Sequence, residues 1–500
     1  MQSPLVSEAP SQPALADAPD LLDSTEAGGR IVRGGVLRLL GYGSMVGLSV
    51  LSTALLTRHL GVSSFGDYTT VISLVTVVSY VTDAGMSAVG VREFAVRSGA
   101  ERDALMSDLL GLRVMLTLVG VLIVAGFVIA DGYSSALLAG AVLASLGTVA
   151  LVVQHTHTIS ITAELRIGTL AALELTRQAL SVAMIVALVA LGAGVLPLLA
   201  VQLAANAMLI APTAALARRQ VSLRMAFRPR RWLALLRLTV VFSLASAVSV
   251  LYNYTTQIIT SLVASEHQSG LFAAPFRIFV VVAITPMLLV TGALPLLARA
   301  ARDDHERLGY ALSRIFEVSL ILGVAATLAT LGGAQFMIAV IAGPKYAASA
   351  PVLQLQGVAL IASFVLAGWS FALLSLERYK QVLVANLLAF LVSCSLTSIL
   401  ASSHGALGAA LASVCAESAL ALGLLVALAR ERPDLRPRLG FVLKVALAGA
   451  PAAVLALRWG ASSPVRMLLA LGLYGVLIVL TRAVPGEVVE LLPGRARRGR

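Results

Sequence analysis

The stretch "RHLGVSSFGDYTTVISLVTVVSYVTDAGMSAVGVREFA", residues 58–95, decides the fold. From Tyr68 to Val91 it carries a single ionised side chain, Asp83, before Arg92 and Glu93 close it. About 20 apolar residues in a helix cross roughly 30 Å of hydrocarbon. The run is therefore long enough to span a bilayer, with an acid some two-thirds of the way across. Why a helix bound for hydrocarbon carries that acid is the question the rest of the chain must answer.

Working outward, the 500 residues are 58% hydrophobic and only 12% charged, about half the charge of a soluble domain. Apolar runs of spanning length recur at approximately 36–57, 68–91, 108–130, 136–158, 170–192, 195–216, 237–264, 270–297, 309–330, 352–376, 381–402, 405–429, 440–458 and 465–483. This predicts an all-α polytopic membrane protein with about 14 transmembrane helices. A shorter apolar piece, Gln335 to Ala342, is expected to extend the ninth helix or to lie at the interface.

The basic residues test that list independently, because hydropathy ignores them. With the N-terminus placed in the cytoplasm, only Arg58, Lys345, Arg458 and Arg466 of the 37 Lys and Arg fall outside. Arg113, Arg177 and Arg277 fall within spans, and the remaining thirty lie inside. Both termini are therefore expected in the cytoplasm. The net charge of +12 is then topological, and no nucleic-acid partner is expected, because no basic patch is interleaved with aromatics. The tail "RARRGR" is placed to touch anionic membrane lipids.

Within residues 1–35, the first 29 hold Glu8, Asp17, Asp20, Asp23 and Glu26 and no Lys or Arg, so they lack the basic n-region of a signal peptide. They read as a disordered acidic cytoplasmic tail. Residues 217–236 form a basic cytoplasmic linker after six spans. The doubling predicts parallel repeats: an N-terminal six-helix bundle over 36–216, a C-terminal one over 237–429, two extra transmembrane helices over 430–484, and a basic cytoplasmic tail over 485–500. "FGDY" (65–68) and "SGLFAA" (269–274) open the second helix of each half.

"RHLGVSSFGDY" (58–68), "DAG" (83–85) and "RE" (92–93) resemble the N-terminal signature of bacterial polysaccharide-unit flippases of the Wzx type, within the multidrug/oligosaccharidyl-lipid/polysaccharide exporter superfamily. "GLFAAPFRI" (270–278), "AGPKYAASAPVLQLQ" (342–356), "ERY" (377–379) and "GALGAALAS" (405–413) fit the same pattern. The resemblance covers residues 30–480. It implies two six-helix bundles facing each other around a central cavity, with alternating access. It also implies a lipid-linked oligosaccharide as substrate, a bacterial inner-membrane location, and polysaccharide polymerase and glycosyltransferases as candidate partners. An ion-coupled multidrug exporter of the same superfamily is the alternative. A membrane glycan polymerase or glycosyltransferase is a third reading, weakened by short outside links and scattered histidines.

Charges inside the spans each need a reason, because one at mid-bilayer costs about 2.5–3.5 kcal/mol on insertion scales. Asp83 lies roughly 22 Å along its helix from Tyr68, fit for a cavity, a proton site or a helix–helix hydrogen bond. Glu174 and Arg177 share one face at i, i+3 and either neutralise each other or line the cavity. Arg113 either snorkels to the inner interface or reaches inward. Arg277 lies roughly 10 Å from the outer end of its helix, where it can snorkel or offer a cavity phosphate its bidentate fork. The resemblance would turn it toward the cavity. Glu417, near the middle of its helix, is either the site of a coupling ion (proton or sodium), as Asp83 is, or a structural acid. Asn253 and Gln257 share a helix face and can hydrogen-bond sugar or neighbouring helices. Substrate binding is accordingly expected of Arg277, Asp83, Arg177, Arg113, Asn253 and Gln257. The two cysteines, Cys394 and Cys415, have no metal-ligand spacing and the histidines are scattered, so no metal or cofactor is expected. Without general acids, bases or metal ligands placed on sizeable loops, no enzymatic activity is expected.

Overall fold

The computed structural model describes residues 25–83, 85–164, 166–217, 225–287, 305–376, 378–435 and 437–483. The acidic tail up to residue 24, the link 218–224, the far end of the expected 270–297 span and the tail from 484 lie outside these described residues.

The described chain is helical, as lipid demands: without water to bond the backbone, only helices or closed barrels can cross. The helices are α1 (Thr25–Leu60), α2 (Val62–Asp83), α3 (Met86–Val96), α4 (Gly99–Ala130), α5 (Ser135–Ala163), α6 (Ile167–Ala190), α7 (Val195–Ala217), α8 (Pro229–Val263), α9 (Glu266–Ala283), α10 (His305–Ile341), α11 (Ala350–Ser375), α12 (Tyr379–Glu431), α13 (Leu439–Arg458) and α14 (Ser463–Leu480). A 3-10 segment, Pro344–Ser349, joins α10 to α11, and a shorter one, Pro433–Leu435, follows α12. Eleven helical segments among the described residues are long and apolar enough to cross a membrane. One of these, α12, has 53 residues and reverses at Gly405 (φ 54°, ψ −133°), so it supplies the expected spans 381–402 and 405–429. With α1 and α8, 36 and 35 residues long, every expected span has its helix.

Two local readings change, and one open alternative is settled. The helix expected over 68–91 breaks after Asp83, and Gly85 restarts it with φ 65°. Gln335 to Ala342 does extend the preceding helix, to Ile341. Helix already begins at Thr25, ahead of the span expected from residue 36.

Residues 1–47 form one compact unit and residues from Leu48 onward another. In the first, the described part is the opening of α1. In the second, α2, α4, α5 and α7 pack on one another, with α3 on α5 and α6 on α7. Likewise α8 to α12 pack on one another, and α13 and α14 lie against α10. Helix α2 joins these groups, touching both α8 and α9.

Alternating helix directions give this unit two ends. At one, the α1–α2 turn docks on the end of α10. Thr57 donates to Ile341 O at 3.3 Å, Arg58 to Val340 O at 2.5 Å, and Tyr346 to Gly61 O at 2.9 Å. The other end carries Arg228, Arg230 and Arg231, with Arg378, Arg432 and Arg438, and is called the basic end below. Hydroxyls within α2 cost little because they bond their own helix: Thr69, Thr70, Ser73 and Thr76 each donate to the carbonyl four residues back.

Candidate functional site

A cavity of about 200 Å³ lies between α1, α2, α6, α7 and α9. Its lining is polar for an intramembrane position. Ser49, Ser52 and Thr53 face it from α1, Arg177, Gln178 and Ser181 from α6, and Gln202 from α7. Tyr68 of α2 and Arg277 of α9 complete it, with Leu56, Phe65, Ile185 and Leu198 as apolar wall. Two guanidinium groups, one from each half of the sequence, therefore meet at one chamber.

The two arginines are compensated differently. Arg177 is held by Glu174 through a two-point contact, Nε to Oε2 at 3.0 Å and Nη2 to Oε1. That pair is largely self-neutralising, as the i, i+3 spacing suggested. Arg277 has no ion pair and no side-chain hydrogen bond among the described residues, although it is half-buried. Counting Glu174, the chamber keeps one uncompensated positive charge. A guanidinium in low dielectric needs an anionic partner, and its planar fork fits carboxylate or phosphate oxygens two at a time. The arrangement can bind an anion. Among the described residues, no group of three or more acids, histidines or cysteines is arranged to hold a metal ion.

Asp83 and Arg113 form a second site, distinct from the chamber. Arg113 is 1% exposed and does not snorkel to an interface. Its Nη2 pairs with Asp83 Oδ1 and donates to Ser87 Oγ at 3.1 Å, while Nη1 donates to Thr156 Oγ1 at 3.1 Å. Ser87 also donates to Asp83 Oδ1 at 2.8 Å. The acid on α2 is thus matched by an arginine on α4, at the break between α2 and α3.

The remaining expected residues disperse. Glu417 lies half-buried on α12 beside the buried Tyr252 and Ser363, and Ser363 donates to its Oε2 at 3.1 Å. Gln257 is 2% exposed and donates to Ser269 at 2.9 Å, holding α8 to α9. Asn253, one turn away, is exposed and returns its amide N–H to Ser249 O at 2.7 Å. The shared face of these two amides therefore does not become a shared site. Sequence reasoning missed Ser49, Ser52, Thr53, Gln178 and Ser181. The signal was present: on α1 the hydroxyls fall at i, i+3 and i+4, and on α6 Ser181 follows Arg177 by one turn, the spacings that place residues on one helix face.

The chain matches known proteins in sequence family and in fold. Several solved structures share the fold, among them the following three. A lipid II flippase MurJ in an inward closed conformation has a TM-score of 0.77 at 14% identity, over 89% of this chain and 99% of that one. An inward-facing MATE multidrug resistance transporter of the MOP superfamily has a TM-score of 0.62 at 15% identity, over 78% and 95%. An outward-facing MATE transporter has 0.54 at 15% identity, over 79% and 95%. No individual curated protein matches by sequence. A sequence profile described as "Polysaccharide biosynthesis protein" matches residues 31–301, more than half of the chain. This protein thus belongs to the polysaccharide biosynthesis protein family.

Proposed function

We propose that this protein is a flippase. It carries a polyprenyl-pyrophosphate-linked oligosaccharide across the bacterial inner membrane by alternating access, for cell-surface polysaccharide biosynthesis. The observation that carries this reading is the meeting of Arg177 and Arg277 at one chamber, with Arg277 lacking an anionic partner. A pyrophosphate supplies that partner and can be shared by groups from both halves. The hydroxyl and amide lining gives the sugar-bearing head hydrogen bonds that hydrocarbon cannot. Membership of a polysaccharide biosynthesis family agrees.

The MATE-like fold allows an ion-coupled multidrug exporter. A cationic drug, however, would meet the excess positive charge of the chamber. The function proposed is transport rather than an enzymatic reaction, and polymerase and glycosyltransferases are its proposed partners. In this reading the basic end faces the cytoplasm, residues 36–216 and 237–429 act as two moving six-helix bundles, and 430–484 add two helices to the second. Glu417, half-buried beside the buried Tyr252 and Ser363, is proposed to take the coupling proton or sodium ion. Asp83 and Arg113 are proposed to shape the break in α2 rather than to touch the pyrophosphate.

The test is flipping of the lipid-linked precursor at normal protein levels. Arg277→Ala should abolish most transport and leave precursor on the inner face. Arg277→Lys, which keeps the charge but loses the fork, should retain part of it. Wild-type flipping by Arg277→Ala would remove this residue from the site. In proteoliposomes, Glu417→Gln should change the pH or sodium dependence of transport; an unchanged dependence would make Glu417 structural.

A further inference from the structure

The arginine chamber and a pyrophosphate do not balance in charge while Glu174 holds Arg177. A pyrophosphate joined to a lipid at one end and a sugar at the other carries one negative charge on each phosphate. Arg177 and Arg277 both line the chamber, but Glu174 cancels the first of them. Glu174 is not part of the lining. Helix α6 runs toward the α1–α2 turn, where His59 bonds Ala193 O at 2.7 Å. Glu174, three residues before Arg177, therefore stands about 4.5 Å nearer the basic end. Its side chain is 37% exposed, against 19% for Arg177, so the pair is open to exchange in a way that Asp83 and the enclosed Arg113 are not. Ser181, one turn beyond Arg177, lines the same chamber, and its Oγ is buried without a hydrogen-bond partner among the described residues. A buried hydroxyl left unpaired is unfavourable. The chamber thus keeps an unused donor beside a guanidinium that an internal acid occupies.

We propose that Glu174 is a resident counter-anion: the pyrophosphate of the lipid-linked glycan displaces it from Arg177, and the released carboxylate takes up one proton from solvent. The proposal rests on the flippase reading and deepens it. The pyrophosphate then meets both arginines, with Ser181 Oγ donating to it, and two positive charges face two negative ones. Left ionised, the released carboxylate would be a third negative charge in a half-buried place. Like charge and desolvation both favour its neutral form there. In the empty chamber, Glu174 spares the protein a second bare guanidinium in low dielectric. Few other groups face Glu174. Helix α6 packs on α5 and α7; α7 has no titratable side chain, and α1 turns hydroxyls to the chamber. His155 of α5 and Tyr80 of α2 are within electrostatic range. Of these two, only histidine ordinarily titrates near neutral pH.

The experiment is equilibrium binding of a polyprenyl pyrophosphate bearing one N-acetylhexosamine to the purified full chain in nanodiscs, between about pH 5.5 and 8. Both phosphates of this diester stay ionised across that range, so the pH dependence belongs to the protein. Wild-type affinity should rise as pH falls, by up to about tenfold per pH unit, the limit for one proton taken up. Glu174→Gln should bind about tenfold more tightly at neutral pH and lose most of the pH dependence. Adding Arg177→Gln should abolish that gain, which separates the release of Arg177 from a change in net charge. His155→Gln should keep the wild-type pH dependence. A wild-type affinity that does not change with pH would overturn the proposal without any variant. So would unchanged binding by Glu174→Gln, a gain that persists in the double variant, or a pH dependence lost with His155. In each of those cases, weakened binding by Arg277→Ala would leave the flippase reading intact. Failure of wild type to bind the probe would overturn both.

Discussion

Arg113 and Arg277 show how differently two intramembrane arginines can be treated. Arg113 is 1% exposed, with Asp83, Ser87 and Thr156 around it. Removing one partner of a buried pair leaves the other charge unmatched, which costs about 3–5 kcal/mol. Asp83→Ala is therefore expected to lower the midpoint of thermal unfolding sharply. The double variant Asp83→Ala, Arg113→Leu should recover most of the loss, because it removes both charges together. If the single variant were as stable as wild type, the pair would contribute nothing to the fold. The i, i+3 pair Glu174–Arg177 could be named from spacing alone. The pair Asp83–Arg113 spans 30 positions and could not, because helical periodicity says nothing about which helices become neighbours.

At the scale of the helix, α2 and α9 meet almost backbone to backbone. A Cβ added at Gly66 would lie 2.6 Å from Glu266 O and 2.8 Å from Gly270 N. A Cβ at Gly270 would collide with Val62 O. These obstacles are main-chain atoms, so no rotamer change relieves them and the two helices must part. Gly66 and Gly270 lie in "FGDY" and "SGLFAA", the two segments that open the second helix of each half. Ser269, 1% exposed, lies beside this crossing. In a background without Cys394 and Cys415, Ser269→Cys should resist an impermeant thiol reagent, and adding Gly270→Val should make it reactive. Equal protection in both proteins would show that the crossing does not close this end. The "FGDY"/"SGLFAA" echo was visible in the sequence, but the approach behind it was not, because an inter-helix distance leaves no mark on hydropathy.

At the scale of the molecule, the arrangement of charge gives the orientation its test. With the basic end in the cytoplasm, Ser403→Cys, exposed beside the reversal at Gly405, should label from outside in intact cells. Ser222→Cys should label only after permeabilisation. Labelling of Ser222→Cys from outside would invert the topology. The number and placement of the helices were legible from the chain, because crossing a bilayer demands a long apolar run and lipid leaves the backbone no alternative to helix. Even the division of the 53-residue α12 is legible, since hydropathy falls at "SSHGA".

Hydropathy and the distribution of arginine were enough to specify an all-helical membrane protein, its spans, and the residues too costly to bury without a reason. Both signals are local, since each residue reports its own solvent and each period its own helix. What those residues do depended on which helices came together. Asp83 turned to Arg113 and Gln257 to Ser269, so both were satisfied inside the fold. Arg177 and Arg277 came from α6 and α9 to one chamber, with hydroxyls of α1 around them. A charge in hydrocarbon must find a counter-charge or water. Only the packing of distant segments settles which of the two it finds.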